Sequence, residues 1–198
     1  MQATSRKLIS ILVVAAALTA AVLGYLYFVQ NKVAPIAGVP IGGPIHLTAA
    51  DGKPFDSASL AGKPYAVFFG FTHCPEACPT TLSELSRVYD ELGDQAKDLT
   101  VLFITVDPER DTPAVMKDYV SNFGGNIIGL SGTPAEVAEV AKEYRVFYKK
   151  VPTSDGSYTM DHTAVVYLMD RKGQYQSIIA YGEDHDRYLE KIKQLLAE

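Results

Sequence analysis

An uninterrupted apolar run, Tyr65 to Phe71, leads directly into Thr72-His73-Cys74-Pro75-Glu76-Ala77-Cys78-Pro79 and then into a stretch of helical periodicity. Tyr, Ala, Val and Phe with no polar interruption read as a central strand buried on both faces. Beyond Pro79, Leu82, Leu85, Val88, Tyr89 and Leu92 recur three and four residues apart and give one apolar helix face. The two cysteines therefore sit where a buried strand turns into a helix. Unpaired amides and the positive end of the helix dipole favour thiolate there, the form that attacks disulfides and binds metals.

The rest of the chain supplies partners for that unit. Ile45 and Leu47 alternate with His46 and Thr48, and Ala50-Asp51-Gly52-Lys53 is a turn, so an N-terminal hairpin ending near Phe55 is expected. Leu99 to Val106 is a second apolar strand, ending in the polar loop Asp107-Pro108-Glu109-Arg110-Asp111-Thr112-Pro113. Thr112 reads as a helix cap with Pro113 in the first helical position, and Val115, Met116, Tyr119, Val120 and Phe123 as the inward face. Asn126 to Leu130 is a short strand, and Thr133-Pro134-Ala135-Glu136 opens a capped helix running to about Tyr144. Arg145 to Val151 and Tyr158 to Asp161 are extended around a break at Asp155-Gly156. Thr163 to Met169 is again apolar, and Asp170-Arg171-Lys172-Gly173 turns it into an antiparallel partner, Gln174 to Ala180. A helix from about Asp184 to Leu196 closes the chain, with Tyr188, Ile192 and Leu195 inward. This alternation predicts an α/β fold with a central mixed sheet flanked by helices on both faces. A strand feeding a two-cysteine loop and helix, later faced by the first strand of a hairpin, is the plan of a thioredoxin-like fold.

Leu8 to Val29 is a 22-residue run without a charge, preceded by Arg6 and Lys7. At about 1.5 Å per residue it is long enough to cross a bilayer, and the basic pair predicts a cytoplasmic N-terminus. One single-pass transmembrane helix is expected, with residues 1–29 as tip and anchor, 30–42 as a Pro-containing linker and 43–198 as the domain. That places the domain on the outer face of the inner membrane, where cysteines can oxidise. A cleaved signal peptide would export the same domain, but its apolar core would be shorter. The chain has 18 Lys and Arg against 23 Asp and Glu, and without Arg6 and Lys7 the balance is 16 against 23, a net charge of −7. So acidic a domain carries no electrostatic footprint for nucleic acid.

Three chemistries are open to Cys74 and Cys78. As a structural staple they would close a loop of only about five residues, worth about 2 kcal/mol, so stapling alone is a weak reason for the pair. As a redox disulfide they resemble a thioredoxin pair, but with three intervening residues, Pro75-Glu76-Ala77, in place of two. As metal ligands, both sulfurs converge on one external atom, and soft thiolates select Cu(I), Cu(II) or Zn(II). His162 supplies a third donor by analogy. In thioredoxins a proline precedes the strand that faces the cysteines, and here that place is taken by His162 in Asp161-His162-Thr163-Ala164-Val165-Val166. Zinc prefers four ligands, or three plus water, whereas copper accepts three, which favours copper without excluding zinc. His73 adjoins Cys74 and reads first as a loop-shaping residue and second as an auxiliary ligand. His46 lies in the hairpin, His185 reads as solvated among acids, and Glu76 and Asp111 read as surface carboxylates. Asp107, at the end of a central strand, is a candidate for hydrogen bonding beside the metal.

These stretches together, FFGFTHCPEACPTTL, VDPERDTP and DHTAVVYLMD, resemble the Sco/SenC family of membrane-anchored copper proteins over about residues 41 to 198. The resemblance implies a thioredoxin-like fold and one copper, Cu(I) or Cu(II), held by Cys74, Cys78 and His162. It also implies delivery of copper to the binuclear site of cytochrome c oxidase subunit II, or reduction of the cysteines there, with other copper chaperones as further partners. Glu76-Ala77 stands where Asp-Val is common in the family, a mild change. A metallochaperone, a thiol-disulfide reductase acting on the oxidase cysteines, and a copper or redox sensor all use these residues.

Overall fold

The computed structural model describes Thr19 and residues 40–197. The expected anchor, apart from Thr19, and most of the linker lie outside the described residues. Among the described residues no helix is long and apolar enough to cross a membrane.

The two apolar runs form the centre of the sheet. Strands β3 (Tyr65–Gly70) and β4 (Thr100–Thr105) are buried at every residue and pair in parallel from Tyr65 opposite Thr100 to Gly70 opposite Thr105. That is the environment a run without alternation demands. Strand β5 (Ile127–Ser131) extends the parallel set on the far side of β4. On the other side β8 (Val165–Met169) and β9 (Tyr175–Ala180) add antiparallel strands. The N-terminal hairpin, β1 (His46–Ala49) and β2 (Pro54–Asp56), joins through β1, which runs antiparallel to β5. The order β2-β1-β5-β4-β3-β8-β9 is a mixed central sheet, and the fold is thioredoxin-like α/β. Strands β6 (Tyr148–Pro152) and β7 (Tyr158–His162) stand apart as a two-stranded ribbon whose last residue is His162.

Helices cover both faces. Helix α1 (Ala77–Leu92) buries Leu82, Leu85, Val88 and Leu92 and begins at Ala77, ahead of Pro79. Proline is tolerated there because the first-turn amides have no intrahelical partner, so Cys78 falls inside the helix. Helix α2 (Pro113–Val120) is capped by Thr112, whose hydroxyl accepts from the Val115 amide, and it buries Met116. Val115 points to solvent instead of inward, because adjacent helical residues lie 100° apart and only one of the two can face the core. Helix α3 (Pro134–Glu143) opens with the expected Thr133/Glu136 capping box. Helix α4 (His185–Ala197) buries Tyr188, Ile192 and Leu195. Phe68 and Phe103 lie 5.8 Å apart, tilted to one another, on one sheet face, where Tyr119 of α2 stacks on Phe103 at 5.5 Å. Phe69 and Tyr167 point the other way and meet Tyr144, at the end of α3, at 5.5 and 5.6 Å. Each buried ring contributes about 1.5–3 kcal/mol relative to exposure.

His185 is bound rather than solvated. Its Nδ1 lies 3.1 Å from Glu84 Oε2 and its Nε2 3.0 Å from Glu91 Oε2, so it ties the start of α4 to α1. Carboxylates at both nitrogens call for two N–H donors, which only the imidazolium has. The Glu91 contact, ahead of the Glu84 contact, raises the His185 pKa, against a smaller opposing effect of burial. A raised folded pKa means that the stabilisation is complete below the unfolded value near 6.5 and is lost as pH rises through the folded one. His185→Gln should therefore lower unfolding stability by about 1 kcal/mol at pH 5.5, solvent screening included, and by almost nothing at pH 9. Urea titrations at the two pH values measure the difference.

Candidate metal centre

The end of β3 and the start of α1 set the two sulfurs. Gly70 is the last residue of β3, and a Cβ there would lie 2.6 Å from Cys78 Sγ and 2.7 Å from the Phe103 ring. Only glycine lets the helix sulfur approach the strand this closely. Cys78 is 0% exposed, while Cys74, in the loop before the helix, is partly open to solvent. The Cys78 amide donates to Cys74 Sγ at 3.3 Å, so a free amide of the first helical turn is spent on that sulfur. His162 comes from the opposite side, at the end of β7. Its ring meets Phe71 edge to face, with centroids 5.7 Å apart, and its Nε2 lies 3.7 Å from Cys78 Sγ. The two Sγ atoms and a His162 ring nitrogen all fall within 4.8 Å of one another.

Further contacts orient the ring and set the sulfurs apart from one another. His162 Nδ1 lies 3.2 Å from the Thr163 carbonyl and donates to it, which turns Nε2 toward the sulfurs. The Cys74 thiol is held well below its usual range, first by the Cys78 hydrogen bond, then by His162 and the amides of Cys78 and Glu76, against the opposing effect of burial. Cys78 is pushed up because it donates its thiol proton to Cys74 and because it is buried. The pair holds one proton, with Cys74 as the thiolate. Donors about 2.0–2.3 Å from a common ion stand no more than about 4.6 Å apart, close to the spread found here. Two soft sulfurs and one imidazole suit copper or zinc, and the same sulfurs are placed to exchange disulfides.

The other sequence candidates fall elsewhere. Asp107 is buried, but its carboxylate accepts from Tyr158 Oη at 2.9 Å and from Arg110 Nε. Arg110 also donates to the Tyr158 carbonyl at 3.0 Å and lies 3.8 Å over the Tyr158 ring. Asp107 thus grips the start of β7, the strand that ends in His162. Asp111, expected at the surface, is fully buried. Its carboxylate accepts from the Thr72 amide at 2.9 Å, Thr72 Oγ1 at 2.6 Å and Thr105 Oγ1 at 2.7 Å, and its carbonyl accepts from Ser131 Oγ at 2.6 Å. Asp111 is therefore the hub that fixes the cysteine loop to β4 and β5. A glycine closing an apolar run, with Thr72 next but one, was the available signal for that loop. His73 is exposed, 3.0 Å from Thr72 Oγ1 and 3.8 Å from Asp111 Oδ1, and lies outside the three-donor cluster. His46 is exposed beside Asp56, and Glu76 is exposed.

Comparison with known proteins points the same way as this geometry. A family model described as SCO1/SenC matches residues 34–197. The chain is 41% identical over 157 residues to "Protein SCO1 homolog 1, mitochondrial" of Arabidopsis thaliana, covering 78% of this chain and 46% of that protein. It is 41% identical over 161 residues to "Protein SCO2, mitochondrial" of Saccharomyces cerevisiae, covering 79% and 53%. The chain thus spans about half the length of these curated relatives. Among solved structures, copper-bound ScoI of Bradyrhizobium japonicum superimposes with a TM-score of 0.72 at 51% identity, covering 78% of this chain and 99% of that one. Copper-bound ScoI of Arabidopsis thaliana superimposes with a TM-score of 0.74 at 37% identity, covering 79% and 98%.

Proposed function

This chain belongs to the SCO1/SenC family, and on that premise we propose that it carries copper to the binuclear copper site of cytochrome c oxidase subunit II. The observation that carries the reading is the convergence of Cys74, Cys78 and His162 within 4.8 Å. In it, Cys74, Cys78 and His162 Nε2 bind one copper as cargo, in either oxidation state, after loading by another copper chaperone. Copper takes the place of the single proton shared by the sulfurs, so loading releases that proton. Residues 1–29 anchor the chain in the inner membrane, 30–42 form the linker, and 43–198 present the site on the outer face.

The test is genetic. Deleting the protein should lower oxidase activity and oxidase copper content in copper-poor medium, with partial recovery on added copper. Normal oxidase copper in the deletion strain under low copper would overturn the reading.

One observation favours a second activity, reduction of the oxidase cysteines. Cys74 is an open thiolate beside a buried thiol, the pairing of an attacking and a resolving sulfur. Cys74 would attack a target disulfide, and Cys78 would release the mixed disulfide. Two electrons would pass to the target, leaving Cys74 and Cys78 oxidised. His162→Ala separates the two, because reduction needs only the sulfurs.

A further inference from the structure

Among the described residues the two most exposed large apolar side chains are Phe147, at 58%, and Tyr181, at 42%. Both are fastened to the link that follows His162. The Phe147 amide donates to Thr163 Oγ1 at 3.1 Å, and the Thr163 amide donates back to the Phe147 carbonyl at 2.9 Å. On the other side the Tyr181 amide donates to the Ala164 carbonyl at 3.2 Å. Burial first, then Glu76, between the cysteines, and then Cys74 raise the Tyr181 hydroxyl pKa. Both residues therefore flank the link that carries His162, and Pro75, beside Cys74, is exposed as well.

A single exposed apolar residue needs no explanation, but two exposed rings tied to either side of the link that carries a metal donor mark a surface for a partner. Phe and Tyr are also the residue types that protein interfaces concentrate, since they offer large contact areas at low entropic cost.

We propose that Phe147 and Tyr181 anchor the protein that receives the copper, one whose own cysteine-bearing copper site lies on an apolar surface loop. The proposal rests on the copper-carrier reading above. With Cys78 buried, an incoming sulfur reaches the metal only from the side of Cys74. Bonding distance there is about 2.3 Å, so the acceptor's loop must press against whatever borders Cys74 and His162. The exchange balances without an electron donor. The acceptor thiol loses its proton as its sulfur bonds copper, the bonds to Cys74, Cys78 and His162 break in turn as the acceptor's own donors replace them, the freed Cys74–Cys78 pair takes up a proton, and the copper keeps its oxidation state.

The test uses the full chain loaded with Cu(I), as wild type, as Phe147→Ala/Tyr181→Ala, and as single Tyr181→Ala and Tyr181→Phe variants. Each is mixed either with the reduced, metal-free copper domain of subunit II or with a small Cu(I) chelator, bathocuproine disulfonate. The double variant should hold one copper and lose it to the chelator at the wild-type rate, while transfer to the protein domain slows about 10-fold or more. Tyr181→Phe should transfer as the wild type does. Undiminished transfer to the domain, or equal slowing towards both acceptors, would overturn the docking role, as would Tyr181→Phe slowed as much as Tyr181→Ala. A wild-type chain that retains no copper, or retains it and never passes it to the domain, would overturn the carrier reading itself.

Discussion

Asp111→Ala should destabilise the domain by about 3–5 kcal/mol, at least about a fifth of the stability of an ordinary domain. The carboxylate accepts three hydrogen bonds, from the Thr72 amide, Thr72 Oγ1 and Thr105 Oγ1. Removing it leaves these donors without a partner in a fully buried place, at about 1–3 kcal/mol for each that finds no substitute. Asp111→Asn should cost only about 1–2 kcal/mol. With the amide nitrogen in the place of Oδ1, the remaining oxygen still accepts from the Thr72 amide and Thr105, and the Thr72 hydroxyl can turn to accept. Urea unfolding measures the ranking, and equal losses for the two variants would contradict the hydrogen-bond account. Thr72 lies two residues ahead of Cys74, so the Asn variant, still folded, should also bind copper about 10-fold more weakly, the lower end of the range for residues that support ligands.

His162→Ala should leave the domain folded and lower copper affinity by at least about 100-fold. Removing a residue that merely orients a ligand costs 10 to 100-fold, and here the donor itself is lost. The fold should survive because His162 is only partly buried and ends a ribbon held from its other end by Asp107, Arg110 and Tyr158. Competition against a Cu(I) chelator of known affinity gives the loss, and circular dichroism checks the fold. Unchanged affinity would leave the two sulfurs as the whole site and favour the reductase reading.

Much of this was legible in the sequence, where the signal is local. Continuous apolar runs gave β3 and β4, and threonine with a following proline marked the starts of α2 and α3. The Cys-x-x-x-Cys pair at a strand-to-helix switch located the sulfurs, and the analogy with the thioredoxin proline located His162, which the structure brings within 3.7 Å of Cys78. Long-range partnerships left no such trace. Asp111 looks like any loop carboxylate until β3 and β4 end side by side and bring Thr72 and Thr105 to it. Asp107 stands at a strand end where functional groups gather, yet its partners are Arg110 and Tyr158, the latter 51 residues away. His185 sits among acids in sequence, but the ones that hold it, Glu84 and Glu91, come from another helix. Phe147 and Tyr181 are residue types common in cores, yet both stand exposed where their backbones bond the link after His162.

The most direct test of the three-donor site is X-ray absorption on the full chain loaded with one equivalent of Cu(I), beside His162→Ala treated in the same way. Two sulfur scatterers and one imidazole nitrogen around each copper, with the nitrogen gone in the variant, is the result that Cys74, Cys78 and His162 predict. A sulfur-only shell in the wild type, or the same spectrum from both proteins, would contradict it.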